Sequence, residues 1–172
     1  MKKQTGFTLL ELMLAITIAG ILAMVAIPSF TYITRNNCMT TTATSIVTSL
    51  QFARSEAIKR RDDVFVTAGP PGGAAGSDDN EWGAGWHVWT DLNNNGSYDD
   101  GEELRVTAPT CTSILDESSA DLTEFTYGSD GFIDNQATFE VCIDRTEESG
   151  RRVNISATGR PSTTTGFTCS ST

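Results

Sequence analysis

Two groups of residues in this chain have types and spacings that could do chemistry. The first lies in the stretch DLNNNGSYDDGE, where Asp91, Asn93, Asn95, Gly96 and Glu102 fall at the positions of a calcium-binding loop. Oxygen ligands at alternate positions, a glycine for the sharp turn and a closing acid able to bind through both oxygens are what calcium needs. Asp99 stands where a further ligand, often acting through water, would lie. The same residues also suit a plain hairpin tip, because Asn and Gly form turns in their own right. The flanks read as strands, not as the paired helices of an EF-hand, so both readings stay open. The second group is a single acid, Glu11, within an apolar run from Phe7 to Ile27. A carboxylate there costs roughly 2.5–3.5 kcal/mol on insertion scales, so a job and a partner are expected for it.

Other reactive side chains give weaker signals. His87 is the only histidine and sits in an alternating strand between Trp86 and Val88, with no nucleophile or metal partner in sight; it reads as structural. Trp82, Trp86 and Trp89 could form a carbohydrate platform, but Trp86 and Trp89 fall on opposite faces of a strand, which makes at least one of them core. No Ser-His-Asp set, phosphate loop or paired carboxylates point to an enzyme. Cys38, Cys111, Cys142 and Cys169 have no zinc spacing and all follow the apolar run, so they read as two disulfides in an oxidising compartment. Of the three possible pairings we favour Cys142 with Cys169, tying the tail to a neighbouring strand, and Cys38 with Cys111, tying stem to sheet.

These residues need elements to hold them. The apolar run is long enough to cross a bilayer as a helix. Lys2 and Lys3 precede it and keep the N-terminus cytoplasmic by the positive-inside rule, which places the remainder outside the inner membrane. Beyond Pro28 a second helical stretch reaches Arg61. Ala43, Ile46, Val47, Leu50, Ala53, Ala57 and Ile58 recur there at spacings of three and four, one apolar face at helical period. The threonines from Thr40 to Thr44 and Thr48 predict a loose middle, since branching at Cβ disfavours helix. Lys59, Arg60 and Arg61 complement the helix dipole at its end. Short alternating runs then follow at 64–68, 84–91, 103–108, 122–128, 137–144 and 151–157. They predict an antiparallel sheet whose apolar face packs on the helix. With 12 basic and 22 acidic residues among 172, the net charge of -10 repels nucleic acid and anionic lipid.

At the N-terminus, KKQTGFTLLELMLAITIAGILAMVAIPSF resembles the class III leader and first helix of type IV pilins and type II secretion pseudopilins. Further on, LQFARSEAIKRRDDVFV, GWHVWTDLNNNGSYDDGEELR, FTYGSDGFIDNQATFEVCIDR and GRRVNISATGRP resemble, in that order, the GspH/FimT family of minor pseudopilins and pilins. The resemblance implies an α+β, type IV pilin-like fold: a long N-terminal helix, transmembrane in its first half, packed on an antiparallel β-sheet domain. It divides the chain into a leader (1–6), a transmembrane helix (7–29), a periplasmic helical stem (30–61) and a periplasmic β-rich domain (62–172). It implies a prepilin peptidase that cuts between Gly6 and Phe7 and N-methylates Phe7. The partners it implies are other minor and major pilins or pseudopilins, the inner-membrane assembly platform and inner-membrane lipid. Glu11 would then pair with the new Phe7 amine of an adjacent subunit, a role in assembly and not in catalysis. Some FimT proteins bind DNA through a basic GRxR-like motif. Here Gly159 and Arg160 match it, Ser162 replaces the second arginine, and Arg151, Arg152 and Arg160 are the cations that could form a patch. The acidic total weighs against nucleic acid as a partner.

Overall fold

The structure, a computed structural model, describes residues 7–76, 80–108, 114–117, 122–143 and 149–169, leaving aside the side chains of 25–29 and 114–117. Gly6 and Cys111, singled out above, lie outside the described residues. The chain falls into two compact units, residues 1–37 and 38–172. Helix α1 runs Leu9–Arg60, and its part within the second unit carries the expected stripe. Ala43, Ile46, Leu50, Ala53 and Ala57 are all at most 2% exposed, and Met39 extends the row. Ile58 departs from expectation: it is 48% exposed, because one residue past Ala57 is a rotation of about 100° around the helix. The threonine stretch does not loosen. The Thr44 and Thr48 hydroxyls donate to the carbonyls four residues back at 2.7 Å, and Thr42 is buried. Packing of the stripe outweighs weak intrinsic propensity.

The helix stops at a residue in left-handed conformation. Arg61 has φ +58, its N–H donates to Ala57 O at 2.8 Å, and the Asp62 N–H shares that carbonyl at 3.4 Å. Such a cap satisfies a terminal carbonyl and is usually built on glycine. The expected cationic end is engaged, with Lys59 and Arg60 both bonded to the Glu56 carboxylate.

Among the described residues eight strands follow: β1 Val64–Ala68, β2 Trp86–Trp89, β3 Glu103–Thr107, β4 Ile114–Glu117, β5 Glu124–Tyr127, β6 Ala137–Cys142, β7 Ser149–Ile155 and β8 Pro161–Thr168. The expected single sheet is corrected to two, ordered β3-β2-β1-β5 and β4-β6-β7-β8, with every pairing antiparallel. Alternation sets their inner faces: Val64 and Val66 of β1, Phe125 and Tyr127 of β5, Phe139 and Val141 of β6, and Val153 and Ile155 of β7 are buried. They share one core with the α1 stripe. Trp82, in a 3-10 turn at Glu81–Ala84, links the sheets. Its ring meets Phe125 at 5.6 Å and, edge-on, Phe139 at 5.0 Å, and its Nε1–H donates to Leu122 O.

Cys142 is bonded to Cys169. β8 lies beside β7, not β6, so this bond crosses over β7 at Gly150. A Cβ on Gly150 would meet Cys169 Sγ at 2.5 Å and the Phe167 ring at 2.6 Å, which is why the strand has no side chain there. Closing a loop of 27 residues is worth roughly 3.5 kcal/mol in the chain-entropy account. Cys38 is also disulfide-bonded; its proposed partner, Cys111, is outside the described residues.

Arg61→Gly removes the Cβ from a left-handed position and touches no packed side chain. It is expected to raise stability by about 0.5–1 kcal/mol, read by urea unfolding of the detergent-solubilised chain through tryptophan fluorescence. A loss of stability would contradict the capping account.

Candidate assembly surface

In the first unit the large apolar side chains described along α1 from Leu9 to Met24 are uncovered. Leu9, Leu10, Leu12, Met13, Leu14, Ile16, Ile18, Ile21, Leu22 and Met24 are each at least 50% exposed. A helix that is hydrophobic all round is stable only when lipid or other helices cover it. Among the described residues no helix is long and apolar enough to cross a membrane. The membrane expectation rests on the sequence run from Phe7 to Ile27, which extends beyond the side chains described.

Glu11 has a partner within its own chain. The Thr8 N–H donates to Glu11 Oε2 at 3.0 Å and the Thr8 hydroxyl donates to the same oxygen at 3.1 Å. In return the Glu11 N–H donates to Thr8 Oγ1 at 3.2 Å. This is a reciprocal capping box that satisfies donors at the start of α1. Sequence reasoning missed it, although Thr-Leu-Leu-Glu carries the required spacing.

The loop 91–102 uses its acids on its own backbone. Asp91 accepts from the N–H groups of Asn95 and Gly96, at 3.1 and 2.7 Å, and Glu102 accepts from those of Leu92 and Asp99. Asp99 accepts from the side-chain amides of Asn93 and Asn95. The Gly96 N–H foremost, then those of Asn95, Asn94 and Asn93, hold the Asp91 carboxyl below its usual range. Among the described residues no three His, Cys, Asp or Glu side chains are grouped to hold a metal ion. The loop also delivers Tyr98 to β2, where its ring lies edge-on to His87 at 5.1 Å and Trp89 at 5.8 Å while its hydroxyl donates to Glu103.

His87 is buried, and its Nδ1–H donates to Gly69 O at 2.9 Å. All three tryptophans are buried. Trp89, on the face away from the core, stacks on Phe65 at 4.4 Å and donates from Nε1 to Thr67 Oγ1. The three arginines considered for nucleic acid are not brought together as a patch. Arg151 and Arg152, adjacent in β7, point to opposite faces. Arg152 is held by Glu140 and lies 4.4 Å over the Phe167 ring. Arg160 stands at the turn between β7 and β8, beside α1.

A family model described as type II transport protein GspH matches residues 42–159. A second, described as the prokaryotic N-terminal methylation motif, matches residues 1–27. Two fimbrial proteins of Pseudomonas aeruginosa are each 41% identical over 70 residues, which is 41% of this chain and 45% of theirs. The chain therefore spans less than half the length of these curated relatives. Two crystal structures of the Pseudomonas aeruginosa type IV minor pilin FimU match at TM-scores of 0.59 and 0.61, with 24% and 25% identity. They cover 76% and 80% of this chain and 98% of the FimU chain. That likeness shows the fold: a long helix with antiparallel sheets.

Because the Asp91 carboxyl is depressed in the folded chain, its contribution is full above its ordinary value of 3.8 and is lost as pH falls through the lower folded value. In an acid titration followed by amide NMR, the Gly96 N–H is expected to hold its shift until the pH is below 3.8. A midpoint at or above that value would refute the assigned bond.

Proposed function

The chain belongs to the GspH family, and from that premise we propose that it is a minor pilin or pseudopilin. In this role it is a structural subunit that helps start or cap a type IV pilus or type II secretion pseudopilus. Residues 1–6 are a leader removed between Gly6 and Phe7 by a prepilin peptidase, which then N-methylates Phe7. Residues 7–29 anchor the chain in the bacterial inner membrane, 30–61 form the stem, and 62–172 form a periplasmic domain. Its partners are other pilins or pseudopilins, the assembly platform and the surrounding lipid. We assign it no catalytic step.

The observation that best supports the reading is the uncovered apolar helix with one acid near its start. From Leu9 to Met24 the large hydrophobic side chains are exposed, and Glu11 is the charged group among them. Lipid covers such a surface before assembly and helices of other subunits cover it afterwards, so one surface serves storage and use. In either setting a lone carboxylate is costly, and a cation from a neighbour relieves it.

Glu11→Ala and Glu11→Gln separate capping from charge. Glutamine can still accept from Thr8, but it carries no charge. Both variants are expected to remain in the inner membrane and to be recovered severalfold less in sheared filaments or crosslinked pseudopili. If Glu11→Gln assembles like the unaltered chain, the charge has no assembly role and the proposed function of Glu11 is wrong.

A further inference from the structure

A groove of about 380 Å³ lies in the second unit between the outer side of α1 and the start of β8, lined by Gln51, Arg54, Ser55, Ile58, Arg160 and Pro161. Two turns stand behind its lining residues. In one, Gly131 has φ +78, and a Cβ there would lie 2.7 Å from Ile58 Cδ1. In the other, Gly159 has φ +70, and a Cβ there would lie 2.7 Å from both Gly131 O and the Tyr127 ring. Only glycine fits at either place, so the two turns touch. The buried Tyr127 hydroxyl fastens them by donating to Gly159 O at 3.1 Å.

The cations are set into this frame. Arg54 Nε–H donates to Gly131 O at 2.9 Å, which fixes the guanidinium plane and leaves its terminal nitrogens without an assigned acceptor. Arg160 is held through its backbone, its carbonyl accepting from the Ser156 N–H and its N–H donating to Ser156 Oγ. Its side chain is exposed. Among the described residues neither arginine is in an ion pair, whereas Lys59 and Arg60 share Glu56 and Arg152 has Glu140. No lining residue is acidic. The floor offers apolar contact from Ile58 and Pro161, and Gln51 and Ser55 offer neutral polar groups.

A chain of net charge -10 thus keeps two uncompensated guanidinium groups in one preformed groove. We propose that this groove receives a carboxylate-bearing segment of a neighbouring protein subunit, with its acids seated between Arg54 and Arg160. A guanidinium fork held by its Nε presents parallel N–H donors that match a carboxylate. Pre-positioning Arg54 lowers the ordering cost of binding. That the partner is a subunit rests on the filament reading above; that the groove binds carboxylates does not.

The test uses the full chain in detergent micelles and fluorescence anisotropy. Its probes are a short labelled peptide of alternating aspartate and glycine, the same peptide with asparagine, and a short single-stranded DNA. The aspartate peptide is expected to bind in a salt-sensitive way and the asparagine peptide not to bind. Arg160→Glu is expected to weaken binding about tenfold, and Arg160→Lys to retain most of it. Gln51→Glu, at an exposed lining position, is a second variant expected to weaken binding if Arg160→Glu does not fold. No binding of the aspartate peptide, equal binding by both acidic variants, or tighter binding of DNA than of the peptide would each overturn the proposal. None of these readouts requires filament assembly, so their failure is separable from failure of the Glu11 experiment.

Discussion

Everything in the second unit depends on burying one narrow stripe of α1. Ile46, Leu50, Ala53 and Ala57 have no exposed surface. They form a single core with inner-face residues of both sheets. Burying side chains the size of Ile46 and Leu50 contributes about 1.5–3 kcal/mol each. The two alanines contribute less area but leave room for larger groups from the sheets. That division explains why the bulky aromatics Trp82, Phe125, Phe139 and Tyr127 come from the β-rich part. They fill the space that a helix face of small residues leaves open, and the contacts of Trp82 with Phe125 and Phe139 join the two sheets.

The periphery is held by polar devices that serve the same end. Carboxylates of the 91–102 loop bind the loop's own N–H groups, and the result is a lid in which Tyr98 covers His87 and Trp89. Burial raises the Tyr127 pKa well above its ordinary value, so the hydroxyl keeps its proton and its bond to Gly159. The stability that follows is full below the ordinary tyrosine range and is lost only as pH rises through the higher folded value. The Cys142–Cys169 bond, lying over Gly150, secures the last strand. Each device leaves few polar groups to answer an external ligand, which is why Arg54 and Arg160 beside α1, in no ion pair among the described residues, stand out.

Much of this was legible in the residues. The stripe at helical spacing and the alternating runs located α1 and six of the eight described strands, because burial on one face imposes a period that survives in sequence. β8 was not found. Its PSTTTGFT segment is exposed almost throughout, so no buried face writes a pattern into it, and Gly166 argues against a strand. β4, Ile114–Glu117, was also missed: its ILDE segment sets two apolar residues beside two acids, with no alternation to read. The division into two sheets was illegible for another reason: strand partners are chosen across the whole chain, and local alternation says which face is buried but not by whom. Loop 91–102 shows the converse limit. Its residue types at calcium-loop spacing also suit a hairpin tip, and spacing alone does not tell that Asp91, Asp99 and Glu102 meet N–H groups and amides of the same loop.

The capping box bears on how Glu11 could serve assembly. A carboxylate has two oxygens, and both bonds from Thr8 go to Oε2. Capping therefore needs one oxygen and leaves Oε1 without an assigned donor. In the proposed filament the two roles are compatible. Thr8 fixes the carboxylate's rotamer at the first turn of α1, and the open oxygen faces whatever cation a neighbour supplies. A carboxylate already ordered by its own chain loses less entropy when that cation arrives. Its charge, which Thr8 hydrogen-bonds but does not neutralise, still demands a partner in an apolar setting. In the proposed filament, capping fixes where the acid points and its uncompensated charge answers the neighbour's cation.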